Sequence, residues 1–322
     1  MTRRDRIVRA GAVALLLGLA LGAGGCAKGG AVPGAAGAEL GSAGVSGGAG
    51  GSSSAAPGTA RPTPTATPVP APLRAGAFRV NIVEGMTAGV GLPVSVTFKK
   101  PVPQAERAAV ERQLKVTANP GTEGSWSWVK DRNLHAGQRV DFRPRAYWKP
   151  GTRVTVAVGP QVTRHFTVGR SLVATVDVKT HRMTVVKDGV TRRIPITAGA
   201  PGMDTWNGTM VVSDKQQRVF MDSRTVGYGD SYSDWYYYAV HLTASGTYLH
   251  QNPAANSVVG RRNVTHGCVG LSSDGTAAAF YREVIVGDVV KVVNSTETVA
   301  PGNGYGDWNV EWPEWKAGSA LR

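Results

Sequence analysis

Cysteine is nearly absent: Cys26 and Cys268 are the only two in 322 residues. Cys26 falls in a segment that reads as processed during export. The disulfide that two exported thiols would ordinarily form is therefore closed off, and Cys268 is left without a partner. The apolar run at 10–23 is too short to span a bilayer comfortably. Also missing are a basic helix, a zinc-finger spacing and an aromatic RNA-binding motif. The 36 lysines and arginines are instead dispersed along strand-like segments, which excludes a nucleic-acid role. The formal net charge of +14 falls to about +11 once Arg3, Arg4, Arg6, Arg9 and Asp5 are set aside. That balance suits an anionic surrounding such as a cell wall, although a solvated basic surface needs no specific charge recognition.

The N-terminus begins with basic Arg3, Arg4 and Arg6, continues through small apolar residues and reaches Gly24-Gly25-Cys26. This pattern predicts an export signal over 1–26. The small residues before Cys26 resemble a bacterial lipoprotein cleavage site, after which Cys26 would carry lipid and hold the protein at the cell membrane. Ala23 stands where a leucine is usual, so an ordinary secretory cleavage nearby is the alternative. Residues 27–76 are Gly, Ala, Ser, Thr and Pro with almost no charge. They cannot bury enough surface to offset ordering entropy and read as a tether, stiffest over the proline-rich 61–70. Roughly 250 residues remain, enough for two ordinary domains.

Segment 77–169 alternates apolar and polar residues at 78–82, 93–98 and 152–158, which predicts a β-sandwich. A short helix fits 104–114, where Ala105, Ala108, Ala109 and Val110 form a stripe. Trp126, Trp128, Tyr147 and Trp148 offer either a sugar platform or core; core is expected, and likewise for His135 and His165. No carboxylate pair stands out, so this domain is expected to position the next. Segment 170–297 opens with strands at 172–178, 183–186 and 190–196, turned at polar His181 and at Asp188-Gly189. Its one short helix starts near Ser273. The last 25 residues, 298–322, carry Trp308, Trp312 and Trp315. They are too aromatic for a free end and should dock, against segment 170–297.

Chemistry concentrates at Thr265-His266-Gly267-Cys268, eighteen positions after His250 in Tyr248-Leu249-His250. A lone thiol beside glycine, with a histidine able to fold back onto it, is what a cysteine nucleophile requires. His250 would accept the thiol proton, a task for a group titrating near neutrality, leaving Cys268 as the attacking thiolate. Backbone amides of His266, Gly267 and Cys268 are placed in sequence to stabilise an oxyanion, and Gly267 allows close approach. Thr265 and the His266 side chain are expected to brace the loop.

These residues resemble the active-site signature of the YkuD-like L,D-transpeptidases, enzymes that cross-link bacterial peptidoglycan. Met221-Asp222-Ser223-Arg224-Thr225 followed by Tyr232 resembles their flap, and Gly306-Asp307-Trp308-Asn309 their C-terminal extension. Glu84-Gly85-Met86-Thr87 and Trp148-Lys149-Pro150-Gly151-Thr152 resemble the immunoglobulin-like module found upstream in some members. The resemblance implies a mostly β protein: an immunoglobulin-like sandwich, a β-rich catalytic domain and a docking extension. It implies that the Gln251 carbonyl orients His250, and that Met221, Tyr232, Tyr248 and Thr265 belong to the substrate site. It also implies peptidoglycan stem peptides as substrate, 3-3 cross-links as product and carbapenem-type β-lactams as acylating inhibitors. No cofactor, nucleic acid or partner subunit is implied; a tethered monomer facing the wall suffices. One departure is Gly270, where the family commonly has asparagine. Two other readings stay open: a wall-binding lipoprotein without turnover, and a zinc site drawn from His241, His250, His266 and Cys268.

Overall fold

The computed structural model describes residues 72–322. Cys26, the expected signal and most of the expected tether lie outside the described residues. The first folded part is a two-sheet sandwich. One sheet holds β1 (Phe78–Val80), β3 (Val94–Phe98), β6 (Arg139–Pro144) and β5 (Gly124–Val129) in that order. The other holds β2 (Met86–Ala88), β8 (Val162–Val168), β7 (Arg153–Val158) and β4 (Leu114–Asn119). Strand β7 shows why the alternation predicts this layout: Val154, Val156 and Val158 are buried while Arg153, Thr155 and Ala157 are not. The helix expected at 104–114 is α1 (Arg107–Glu111), preceded by a 3-10 turn at Gln104–Glu106.

Trp126 and Trp148 are core, and Trp128 and Tyr147 pack partly buried against it. The histidines differ from expectation. His135 and His165 are exposed, and His165 lies on the polar side of β8, paired with Glu84 at 2.8 Å. A strand's outward positions take polar residues whatever their aromatic character.

The second part has a five-stranded sheet ordered β11 (Val190–Pro195), β10 (Arg182–Lys187), β9 (Leu172–Asp177), β17 (Val289–Val293) and β12 (Gly208–Val211). A four-stranded sheet follows the order β13 (Asp214–Asp222), β14 (Ser233–His241), β15 (Tyr248–Gln251) and β16 (Val269–Leu271). The β15–β16 pair is parallel. Helix α2 (Thr276–Glu283) buries Ala277 and Phe280 in the core shared by both sheets. His181, expected as a plain surface turn, is half-buried with φ +56° and its Nδ1 lies 3.0 Å from Asn263.

Sandwich and second part meet backbone to backbone. Gly89 N–H donates to Val286 O and Gly91 N–H to Gly287 O, both at 2.8 Å. A Cβ on Gly89 would sit 2.2 Å from the Asp288 nitrogen, so only glycine fits there. Arg170 clamps the fully buried Asp288 through two bonds at 2.6 and 2.8 Å.

The tail docks on both parts. Trp315 in α3 (Trp312–Ala317) is 1% exposed and donates its indole N–H to Ser125 O on β5 of the sandwich. Trp308 donates to Gly91 O. On the second part, Val299 enters the core, Val299 N–H donates to Asn207 O, the Asn303 side chain bonds the backbone N–H and the hydroxyl of Ser245, and the Asn309 side chain bonds both backbone groups of Thr209. On the sandwich, Arg143 of β6 offers its guanidinium to Trp308, Trp312 and Trp315 at 4.8, 5.4 and 4.8 Å.

Candidate active site

Parallel pairing of β15 with β16 places His250 opposite Gly270. Registered residues of a parallel pair share a face, and so do residues two apart along a strand. His250, Gly270, Cys268 and Asn252 therefore gather on one side of the sheet. His250, Asn252 and Cys268 do line one cavity of about 90 Å3, with Met221, Tyr232, Tyr236, Val264, Thr265 and His266.

The turn before Cys268 is built for its sequence. Gly267 has φ +106°, which an L side chain rarely adopts. Thr265 Oγ1 donates to Cys268 O at 2.6 Å, and the Thr265 backbone bonds Ala198 and Ala200. Asn263 accepts from Ala198 N–H and donates to Val178 O. Outside the strand ladders, the amides of His266, Gly267 and Cys268 have no backbone partner among the described residues.

Burial sets the protonation of the reactive pair. Cys268 is 9% exposed and His250 3%. Burial pushes the Cys268 thiol up to about 11, opposed by a backbone bond from Tyr248. Burial pulls the His250 imidazole down to about 4, opposed by its bond to Gln251. Both groups are thus neutral at pH 7, which corrects the expectation of a standing thiolate beside a histidine titrating near neutrality. The thiol donates to Gly246 O at 3.6 Å. His250 Nδ1 donates to Gln251 O at 2.7 Å, which leaves Nε2 with a free lone pair in the neutral ring.

The β13–β14 hairpin, with the 3-10 turn Ser223–Val226 at its tip, covers this pair. Ring contacts run from Tyr228 to His266 at 5.5 Å, His266 to Tyr232 at 5.2 Å, Tyr232 to Tyr236 at 6.0 Å and Tyr236 to His250 at 4.8 Å. Tyr232 walls three cavities at once: the small one above, one of about 350 Å3 and one of about 730 Å3. The largest is also lined by Gly267, His266, Tyr248, Asp204 and Arg132 of the sandwich. Of the residues expected here, Met221, Tyr232, Thr265, His266, His250 and Cys268 come together in the small cavity, whereas Tyr248 and Gly267 line the large one. Gln251 takes part through its backbone carbonyl.

Tyr236, Tyr228 and Asn252 went unread in the sequence. Asn252 carried one signal, its place two residues after His250. His241 does not face the core: its ring stacks on Tyr248 at 4.2 Å, and its nitrogens lie 2.7 Å from Asp214 Oδ2 and from Thr243 O. Among the described residues, no group of three or more His, Cys, Asp or Glu side chains is arranged to hold a metal ion.

Comparison with known proteins places this arrangement. Residues 56–161 match the family model of a bacterial Ig domain, and residues 171–292 that of the L,D-transpeptidase catalytic domain. L,D-transpeptidase 2 of Mycobacterium tuberculosis is 35% identical over 256 residues, covering 74% of this chain and 60% of that protein. L,D-transpeptidase 1 of the same species is 37% identical over 235 residues, covering 71% of this chain and 88% of that protein. The chain thus spans only 60% and 58% of the length of L,D-transpeptidases 2 and 5. Among solved structures, the LD transpeptidase LdtMt1 in complex with imipenem superposes with a TM-score of 0.61 at 36% identity, over 70% of this chain and 100% of that one. L,D-transpeptidase 3 of M. tuberculosis with a faropenem-derived adduct gives a TM-score of 0.58 at 31% identity, over 67% and 97%.

Proposed function

The chain belongs to the L,D-transpeptidase family, and from that premise we propose that it joins peptidoglycan stem peptides into 3-3 cross-links through a thioester on Cys268. The observation that carries this reading is the shared cavity: a buried thiol and a buried imidazole with a free lone pair, on adjacent strands and beneath one hairpin. The donor is a tetrapeptide stem. Cys268 Sγ attacks the carbonyl of its third, diamino acid residue while the thiol proton passes to His250 Nε2. The amide bond to the terminal D-alanine breaks, and its amine leaves with the proton from His250. A thioester and a neutral imidazole remain. The side-chain amine of a second stem then attacks the thioester carbonyl and gives a proton to His250, the C–S bond breaks, and His250 passes that proton to the departing sulfur, which restores the thiol and the neutral imidazole. Because both groups rest uncharged, proton transfer accompanies attack, and no buried ion pair has to persist between turnovers. The amides of His266, Gly267 and Cys268 meet the tetrahedral oxyanion. Gln251 O fixes the His250 tautomer, and Met221, Tyr232, Tyr248 and Thr265 shape the channel. A strained β-lactam carbonyl would trap the same thiol, as the imipenem and faropenem structures of the relatives suggest.

The setting follows the same reading: a monomer exported to the outer side of the membrane, facing the wall, and anchored by lipid on Cys26. Intact-mass analysis after incubation with imipenem tests the nucleophile. The wild type should gain one drug mass, and Cys268→Ala should gain none and form no cross-linked dimer from defined tetrapeptides. An adduct on the alanine variant would refute the assignment. A wild type that accumulates no acyl-enzyme with either compound would leave a wall-binding protein without turnover.

A further inference from the structure

The face that carries the reactive pair has a gap in it, and a neighbouring side chain leans into that gap. Gly270 stands opposite His250 and two residues beyond Cys268, so it is the position from which a side chain would project beside both. A Cβ there would sit 2.7 Å from Thr197 Cγ2, 3.0 Å from Asn252 Cβ and 3.1 Å from Asn252 Nδ2. Thr197 and Asn252 share that space, and the absence of a side chain at 270 is what lets the carboxamide approach so closely.

The Asn252 backbone is fixed, its N–H donating to Leu271 O at 2.9 Å and its C=O accepting from Ala255 N–H. It occupies the N-cap position of the 3-10 turn Pro253–Ala255, where an asparagine side chain ordinarily bonds the turn's own amides. Here the side chain makes no capping bond. Asn252 lines the 90 Å3 cavity with Cys268 and His250, half-buried and without a bonded partner for its carboxamide among the described residues. A carboxamide offers donors and an acceptor together, the pattern that pairs with a peptide bond. The carboxamide atoms of Asn252 are not shut off from solvent, so a substrate group can take the place of water at them.

We propose that Asn252 is a substrate-contact residue whose carboxamide hydrogen-bonds the donor peptide backbone beside the carbonyl attacked by Cys268, and that Gly270 is required because it makes room for it. This rests on the transpeptidase reading above. Asn252→Ala should lower kcat/KM for a tetrapeptide donor roughly tenfold, the scale of one hydrogen bond. Its melting temperature and the alkylation rate of Cys268 by iodoacetamide, which needs no peptide contact, should stay at wild-type values. Gly270→Ala should reproduce the loss by displacing the carboxamide, and the double variant should be no worse than either single one. Wild-type turnover with an unchanged kcat/KM in Asn252→Ala would overturn this inference alone. So would additive losses in the double variant, or a parallel fall in alkylation rate marking a merely structural role. A wild type that acylates no stem peptide would overturn the transpeptidase reading, and this contact with it.

Discussion

Two of the buried polar sites among the described residues deal with charge in opposite ways. At the seam between sandwich and tail, Arg139 is 4% exposed and fully charged, meeting Asp131 at 2.7 Å and Asp141 through a two-pronged contact, with Tyr305 stacked 5.2 Å away. Burial opposes that charge, but the neighbouring carboxylates, Asp141 first, more than offset it and hold the guanidinium well above its usual range. At the reactive face no counter-charge is supplied. Burial, opposed only by one backbone bond to each group, keeps Cys268 and His250 neutral. The seam uses paired ions to fix where the tail lies. The reactive face keeps its groups uncharged and underbonded, so that a substrate supplies the missing interactions.

The comparison is tested hardest by removing a charge from the seam. Arg139→Ala leaves Asp131 and Asp141 without their cation and should cost about 3–5 kcal/mol in urea unfolding. A loss below about 1 kcal/mol would mean that the seam is no more ionic in effect than the protein surface.

A smaller effect should come from the reactive face, through pH. Unfolded histidine titrates near 6.5 and folded His250 near 4. Between those values the unfolded chain binds the extra proton, so stability falls as pH drops from about 6.5 to about 4, by roughly 3 kcal/mol. The thiol mirrors this on the alkaline side: it is neutral in the fold up to about 11 against about 9 when unfolded, so stability falls as pH rises through that window. In His250→Asn the acid-side slope should be shallower by that amount. Equal slopes in both proteins would place the folded histidine near its ordinary value and erase the contrast.

The sequence made one of the two sites plain and hid the other. Cys268 was readable because a single thiol between glycine and histidine has few structural excuses, and the strands were readable because valines alternate along them. Tyr236 was not: Trp235, Tyr236, Tyr237 and Tyr238 run together, so the pattern names no inward face. Tyr238 breaks the alternation further with φ +53° and packs toward Tyr281. Asn252 becomes meaningful only after β15 and β16 pair in parallel with nothing at position 270. The seam joins residues 131–143 to 305–315, from opposite ends of the folded chain, and no local pattern marks such a meeting. The tail's hold on the sandwich therefore went unread.

The smallest predicted effect sharpens the comparison most, because the seam contains one group that behaves as the reactive face does. Asp307 is fully buried, and neither carboxylate oxygen has a hydrogen-bond donor among the described residues. Arg139 is already engaged by Asp131 and Asp141, so a third carboxylate there exceeds what Arg139 and Arg143 balance. Burial first, then Asp141, push the Asp307 carboxyl well above its usual range against the pull of both arginines. A carboxyl whose folded pKa is raised contributes fully below the unfolded value near 3.8, and that contribution is lost as pH rises. Asp307 thus lowers stability at neutral pH by forcing the fold to take up a proton. Asp307→Asn keeps the shape, needs no proton and can donate to Asp141. It should stabilise the protein at pH 7.5 by about 1 kcal/mol, with the gain vanishing by pH 4. Destabilisation at pH 7.5 would show Asp307 ionised and paired, and the seam ionic throughout.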